Sequence, residues 1–195
     1  MKIFYLHGFQ SSSNAIKAQI LKKELVPFDF VTYKALDFPD DLSKSFEYLK
    51  EFIKKEQQDD EVCLIGSSLG GFLSLLLSIE LKLKVALINP CLYPSEWVKK
   101  ANVVGKELEN FDTHEKFVID TRAITYLQEK EKQLVQYDSS LVSVYLQTGD
   151  EVLDYKYALN FFDKIKVDVE QGGSHRYDNF ESKIPKIISF FKKSL

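Results

Sequence analysis

Cysteine is scarce in this chain: two residues, Cys63 and Cys91, in a length of 195. They stand 28 positions apart with no metal-ligand spacing around them, which argues against a disulfide framework and a cysteine-built metal centre and favours a reducing, cytoplasmic compartment. A dominant charge sign is missing too. The net charge is −3 with no basic block, so nothing directs the chain to nucleic acid or to an anionic membrane surface. No apolar run approaches the length of a membrane-spanning helix. The opening Met1-Lys2-Ile3-Phe4-Tyr5-Leu6-His7-Gly8 is too short and too quickly polar for a signal peptide and reads as a first strand. There is no internal repeat and no low-complexity tract. What remains, 45% hydrophobic and 28% charged residues, is an ordinary globular composition, enough for one domain over 1–195 with a substantial core.

Strand and helix patterns alternate almost from end to end. Candidate strands are 2–6, 30–35, 61–66, 84–89, 141–148 and 166–170. Helical patterns fill the gaps: 13–26, with Ala18, Leu21 and Leu25 on one stripe, and 40–57, opened by Pro39 and Asp40, with Leu42, Phe46, Leu49 and Ile53 on another. A nearly all-apolar helix follows from Ser68 to Leu83, and further helices are expected over 154–164 and 180–193. Such alternation predicts an α/β fold, a mostly parallel six-stranded sheet with helices on both faces.

One stretch breaks the rhythm. About fifty residues without an obvious strand separate 84–89 from 141–148, far more than a crossover helix needs. Tyr93, the only tryptophan (Trp97), Phe111 and a helical pattern around Ile124 and Leu127 fall here. The expectation is a small helical cap insert over 91–140; the alternative is an enlarged crossover.

The most informative residues are Gly66-Ser67-Ser68-Leu69-Gly70, between the apolar run Glu61–Ile65 and the apolar helix. A serine at the apex of a strand-to-helix turn presents its hydroxyl to open space, and the flanking glycines let strand and helix close on each other. This is the nucleophile elbow of α/β-hydrolases.

A serine hydroxyl needs a base, and the base needs an orienting acid. In these enzymes the order along the chain is serine, acid, histidine. Of the three histidines, His7 precedes the serine and His114 lies in the insert, so order selects His175, in Gly172-Gly173-Ser174-His175. The acid should leave the end of the preceding strand, where Gly149-Asp150-Glu151-Val152-Leu153-Asp154 offers three carboxylates. Asp150 is the choice; Glu151 should face water and Asp154 should cap the next helix. An oxyanion hole needs two donors, for which the backbone N–H groups of Leu69 and of Phe9, in the loop after the first strand, are the candidates. His7 is expected to shape that loop. The catalytic set is thus Ser68, Asp150 and His175, and this chemistry calls for no cofactor and no metal.

Over almost its full length the chain resembles the small YqiA-type esterases of the α/β-hydrolase superfamily. The resemblance is carried by Tyr5-Leu6-His7-Gly8-Phe9 with Ser11-Ser12, by Gly66-Ser67-Ser68-Leu69-Gly70-Gly71, by Asn89-Pro90, by Gln147 through Tyr155, and by Gly172-Gly173-x-His175. It implies esterase activity on short acyl esters or acyl-CoA thioesters with the same triad. It also implies that strand 2–6 corresponds to the third strand of a longer hydrolase. Gln10, where the family often has Asn, and Cys91 after Asn89-Pro90 depart mildly from the pattern.

The leading reading is a serine carboxylesterase for short- to medium-chain acyl esters. An acyl-CoA thioesterase uses the same triad, but the lysines of the insert, Lys99-Lys100 and Lys130 to Lys132, form no concentrated basic patch. A catalytically silent ligand-binding version of the fold is the alternative outside enzymes.

Overall fold

A computed structural model describes residues 1–193. Six strands form one wholly parallel sheet: β1 (Lys2–Leu6), β2 (Thr32–Leu36), β3 (Val62–Ser67), β4 (Lys84–Ile88), β7 (Val142–Gln147) and β8 (Asp168–Glu170), in the order β2-β1-β3-β4-β7-β8. The six strands agree with the sequence reading to within a few residues. The pleat explains the two cores. On β1, Ile3 and Tyr5 face one side, where α1 (Ile16–Glu24) and α7 (Ile184–Lys192) cover them; Phe4 and Leu6 face the other, covered by α2 (Leu42–Glu56) and α3 (Leu69–Leu81). Helix α6 (Tyr155–Phe161) packs on β7.

Helix α3 lies against β3 and β4 and buries every residue from Leu69 to Ser78, which is why its sequence shows no polar face. Helix α2 is amphipathic, with Leu42, Phe46, Leu49 and Ile53 buried. It begins later than Pro39-Asp40 suggests. The Asp41 side chain accepts from the Ser43 N–H at 3.0 Å and caps the helix, while Asp40 turns toward the insert.

The segment between β4 and β7 holds α4 (Pro94–Lys100), α5 (Thr121–Glu131) and an antiparallel hairpin, β5 (Glu107–Glu109) with β6 (Lys116–Val118). The hairpin departs from the expected strand-free, helical segment. Each strand is three residues long, too short for a period-two pattern to stand out. Helix α5 packs on α2, and its Glu131 carboxylate accepts from the N–H and hydroxyl of Ser95 at 2.7 and 2.8 Å, fixing the start of α4. Among the described residues no helix is long and apolar enough to cross a membrane.

Strand register decides what meets at the carboxyl edge of the sheet. Leu6 pairs with Gly66, Ser67 with Ile88, Ile88 with Tyr145, and Gln147 with Glu170. The loops after β1, β3, β4, β7 and β8 therefore emerge side by side, on the edge where open α/β sheets bind ligands.

Candidate active site

Ser68 sits directly after β3 with φ +54° and ψ −119°, a left-handed backbone that costs an L-residue on the order of 1–3 kcal/mol. The turn survives because its surroundings leave no alternative. A Cβ at Gly66 would strike the Gly70 carbonyl oxygen and the Ser74 hydroxyl; one at Gly70 would strike the carbonyl oxygens of Leu6 and His7. The Ser68 N–H donates to the Ile88 carbonyl at 3.1 Å, and its carbonyl accepts from Gly71 and Cys91 at 2.9 and 3.0 Å. The glycines thus allow α3 to close on both β1 and β3, with the serine left at the apex. Ser67, one position earlier, is buried.

From Ser68 a hydrogen-bonded line runs to Asp150. Ser68 Oγ lies 3.1 Å from His175 Nε2, and His175 Nδ1 lies 2.8 and 3.0 Å from the two Asp150 oxygens. The Asp150 side chain is 2% exposed, and its Oδ1 also accepts from the N–H groups of Val152 and Leu153 at 2.9 and 2.8 Å. A carboxylate so buried and so bonded is held to one orientation. It keeps the proton on Nδ1 and leaves Nε2 as the acceptor facing the hydroxyl. Asp154 instead accepts from Lys156 N–H at 3.0 Å and caps α6.

The loop bearing His175 is held by residues that carry the family resemblance but had no role assigned from the sequence. Gln147 Oε1 accepts from the Ser174 and Asp178 N–H groups at 3.1 and 2.8 Å. Asn89 Nδ2 donates to the carbonyls of Ser174 and His175 at 3.1 and 3.3 Å. Glu151, expected to face water, does so and yet accepts from the His175 N–H at 2.9 Å, which draws its carboxyl below the usual range. Gly172 and Gly173, at φ +79° and +76°, make the turn that brings the loop back over Gln147.

Phe9 and Leu69 both line the cleft that contains Ser68. Among the described residues neither backbone N–H donates to a protein acceptor. Leu69 opens α3, where the first amides have no partner inside the helix. His7 Nδ1 donates to the Gly8 carbonyl at 2.9 Å and its ring stacks on Phe38 at 4.1 Å. Burial holds its pKa below the ordinary imidazole value, so it stays neutral and shapes the loop. His114 is exposed and pairs with Glu109 at 2.7 Å, with no bond to Ser68, Asp150 or His175 among the described residues.

The cleft has a volume of about 740 Å³. The aromatic rings of Phe9, Trp97 and Phe111 line it, while Lys17 and Arg176 contribute two cations. A second cavity of about 190 Å³ lies behind Asp150, and Trp97, Cys91 and Val152 border both. Burial pushes the Cys91 thiol up to about 12, so it stands beside the site as a small apolar group.

A family profile described as "Uncharacterised protein family (UPF0227)" matches residues 2–192. The chain belongs to this family. The UPF0227 protein YE1706 of Yersinia enterocolitica is 30% identical over 96% of this chain and 97% of its own length. The UPF0227 protein YcfP of Salmonella gallinarum is 29% identical, with the same coverage. Among solved structures, Est1E from Butyrivibrio proteoclasticus superposes with a TM-score of 0.75 at 16% identity, over 98% of this chain and 85% of that one. A monoacylglycerol lipase from Paleococcus ferrophilus gives 0.72 at 16% identity, over 97% and 94%. At that identity the likeness is one of fold alone, and the mouse alpha/beta hydrolase domain-containing protein 10, at a TM-score of 0.66 and 17% identity over 96% of the UPF0227 chain and 89% of its own, gives that fold its name. The fold named by the sequence resemblance is thereby established.

Proposed function

We propose that the protein is a serine carboxylesterase that cleaves short- to medium-chain acyl esters through an acyl-enzyme. The observation that carries the reading is the line from Ser68 through His175 to Asp150, with the serine on a strained turn at the wall of an aromatic-lined cleft.

In this reading His175 Nε2 takes the hydroxyl proton as Ser68 Oγ attacks the acyl carbon. The carbonyl oxygen becomes an oxyanion and turns to the amides of Phe9 and Leu69. Preorganised donors of this kind are worth on the order of 10²–10³ in rate each. The tetrahedral intermediate collapses when His175 returns the proton to the departing alcohol. Water then repeats the sequence on the acyl-enzyme, with His175 again as base. Asp150 keeps the imidazole in the required tautomer and stabilises its cation throughout. Two buried, unpaired cysteines fit a chain working in a reducing, cytoplasmic compartment.

One observation favours a second substrate class, a thioester with an anionic leaving group. Lys17 and Arg176, far apart in sequence, both line the cleft, and neither forms an ion pair among the described residues. Three acids line the cleft as well: the carboxylates of Asp112 and Asp178 accept from the hydroxyls of Ser12 and Ser174, and Glu181 is the third.

The test is steady-state hydrolysis of 4-nitrophenyl butyrate. The wild type should turn over, and folded Ser68→Ala should be reduced to background. A wild type with no activity on esters or thioesters would leave the silent-fold alternative standing.

A further inference from the structure

The loop that carries the Phe9 amide is held from inside at one point before its turn: His7 Nδ1 donates at 2.9 Å to the Gly8 carbonyl, the other end of the same peptide unit. Gln10 adopts φ +54°, a left-handed conformation in a residue that is not glycine, and this reverses the chain directly after Phe9. The other bonds inside the loop lie beyond that turn: Ala15 N–H to the Ser12 carbonyl at 3.1 Å, and Asn14 N–H to Ser12 Oγ at 3.0 Å. Strained turns persist only where neighbours over-determine them.

Ser13 is tied down by Asp37, whose oxygens accept from its N–H and hydroxyl at 2.6 and 2.8 Å, while the neighbours of the Gln10 turn itself come from the hairpin in the middle of the insert. The Gln10 carbonyl accepts from Phe111 N–H at 3.1 Å, and Gln10 Nε2 donates to the Glu109 carbonyl at 2.8 Å. Ser12 Oγ donates to Asp112 at 2.8 Å. Between these contacts sits Asn110, 3% exposed, with its side chain saturated. Nδ2 donates to the Ser11 carbonyl and to Asp40 Oδ2, both at 2.9 Å. Oδ1 accepts from the N–H groups of Asp112 and Thr113 at 3.0 and 3.1 Å. Two donors and two acceptors are all that a carboxamide has. The ring of Phe9 leans on the same segment, edge-on to Trp97 and Phe117 at 5.3 and 5.7 Å.

We infer that Asn110 is a positioning residue for the oxyanion hole: its carboxamide ties the hairpin turn, the start of α2 and the loop after β1 together, and so holds the Phe9 amide at the place where the oxyanion forms. The inference rests on the reading of Ser68 as nucleophile. It gives the hairpin a role in the chemistry, separate from covering substrate. Aspartate cannot replace the amide, since it loses both donors and sets a carboxylate between Asp40 and Asp112.

A role confined to packing would lower stability and leave the reaction alone, so the test reads the oxyanion directly. A trifluoromethyl ketone with a butyryl-length chain is added by Ser68 Oγ; the proton passes to His175, and the ketone oxygen becomes an oxyanion without a leaving group. For folded Asn110→Ala and Asn110→Asp, kcat on 4-nitrophenyl butyrate should fall about 10- to 100-fold with KM little changed, and Ki for the ketone should rise by a matching factor. Gln10→Ala, which removes only the Glu109 contact, should move kcat and Ki several-fold in the same directions and decides the matter if the Asn110 variants do not fold. The inference is overturned if kcat and Ki stay at wild-type values, if kcat falls with Ki unchanged, or if KM alone rises. An active wild type with indifferent variants removes this inference only. A wild type that neither turns over ester nor binds the ketone removes the Ser68 reading beneath it.

Discussion

Asp150 and His175 are joined through both carboxylate oxygens, at 2.8 and 3.0 Å from one ring nitrogen, while the two amides that follow Asp150 hold its Oδ1 from the other side. The carboxylate has no freedom left to turn away. Asp150→Asn keeps the shape but puts either an N–H donor or a weaker neutral acceptor against Nδ1, and it cannot stabilise the imidazolium. The expected result is a kcat lower by roughly 10²–10⁴ with KM little changed. Asp154→Asn, which touches only the cap of α6, should leave kcat near wild type. The measurement is steady-state kinetics on one ester with both proteins, and the reverse ranking would move the acid to Asp154.

Gln147 should matter to stability and to catalysis together. Gln147 is buried, and Gln147→Leu deprives the part-buried N–H groups of Ser174 and Asp178 of their acceptor. Each such loss costs about 1–3 kcal/mol, so the urea midpoint should drop clearly, and kcat should fall as His175 drifts. A midpoint within error of wild type would show that the loop is held by other contacts.

The cation pair predicts a pH dependence. Burial, with the nearby Arg176 charge, pushes Lys17 down to about 8, and Asp150 opposes the shift. Lys17 is therefore charged below that pH and neutral above it. The ratio of kcat/KM for butyryl-CoA to that for butyryl-N-acetylcysteamine isolates the anionic leaving group, because every pH effect on the acyl-transfer chemistry is common to both substrates. The ratio should fall as pH rises through about 8. In Lys17→Met it should be low and flat. An unchanged ratio in that variant would remove Lys17 from substrate recognition.

Chain-length preference should have an edge. Each methylene that enters the cleft adds about 0.8 kcal/mol of binding until the wall is reached. Across nitrophenyl esters from acetate to palmitate, kcat/KM should climb and then break, and Trp97→Ala, which joins the two cavities, should move the break to longer chains. A steady rise to palmitate would contradict the small pocket.

The centre of the sheet and the order of elements were legible because their signals are local and strong: β1, β3, β4 and β7 as buried strands of five or six residues, an apolar helix after a glycine-flanked serine, and capping residues where helices start. The candidate triad was legible through chain order alone, with three histidines to choose from. What escaped was non-local. Asn110 bonds to residues about one hundred and about seventy positions away, and Gln147 and Asn89 reach the 174–178 loop across the sheet edge. An asparagine in a hairpin turn reads as turn chemistry, which it also performs through Oδ1; nothing local distinguishes the bonds made by Nδ2. The hairpin itself was missed because three-residue strands carry one inward side chain each.

The measurement that tests the account most directly is covalent labelling by an organophosphonate, read by intact mass and peptide mapping. The phosphorus is attacked by an activated serine oxygen, and a leaving group departs, so the reagent reports nucleophilicity independently of substrate choice. The account predicts one adduct per chain on Ser68, retained in Ser67→Ala and absent from Ser68→Ala. A folded wild type that takes no label, or a Ser68→Ala protein labelled as fast as wild type, would contradict it.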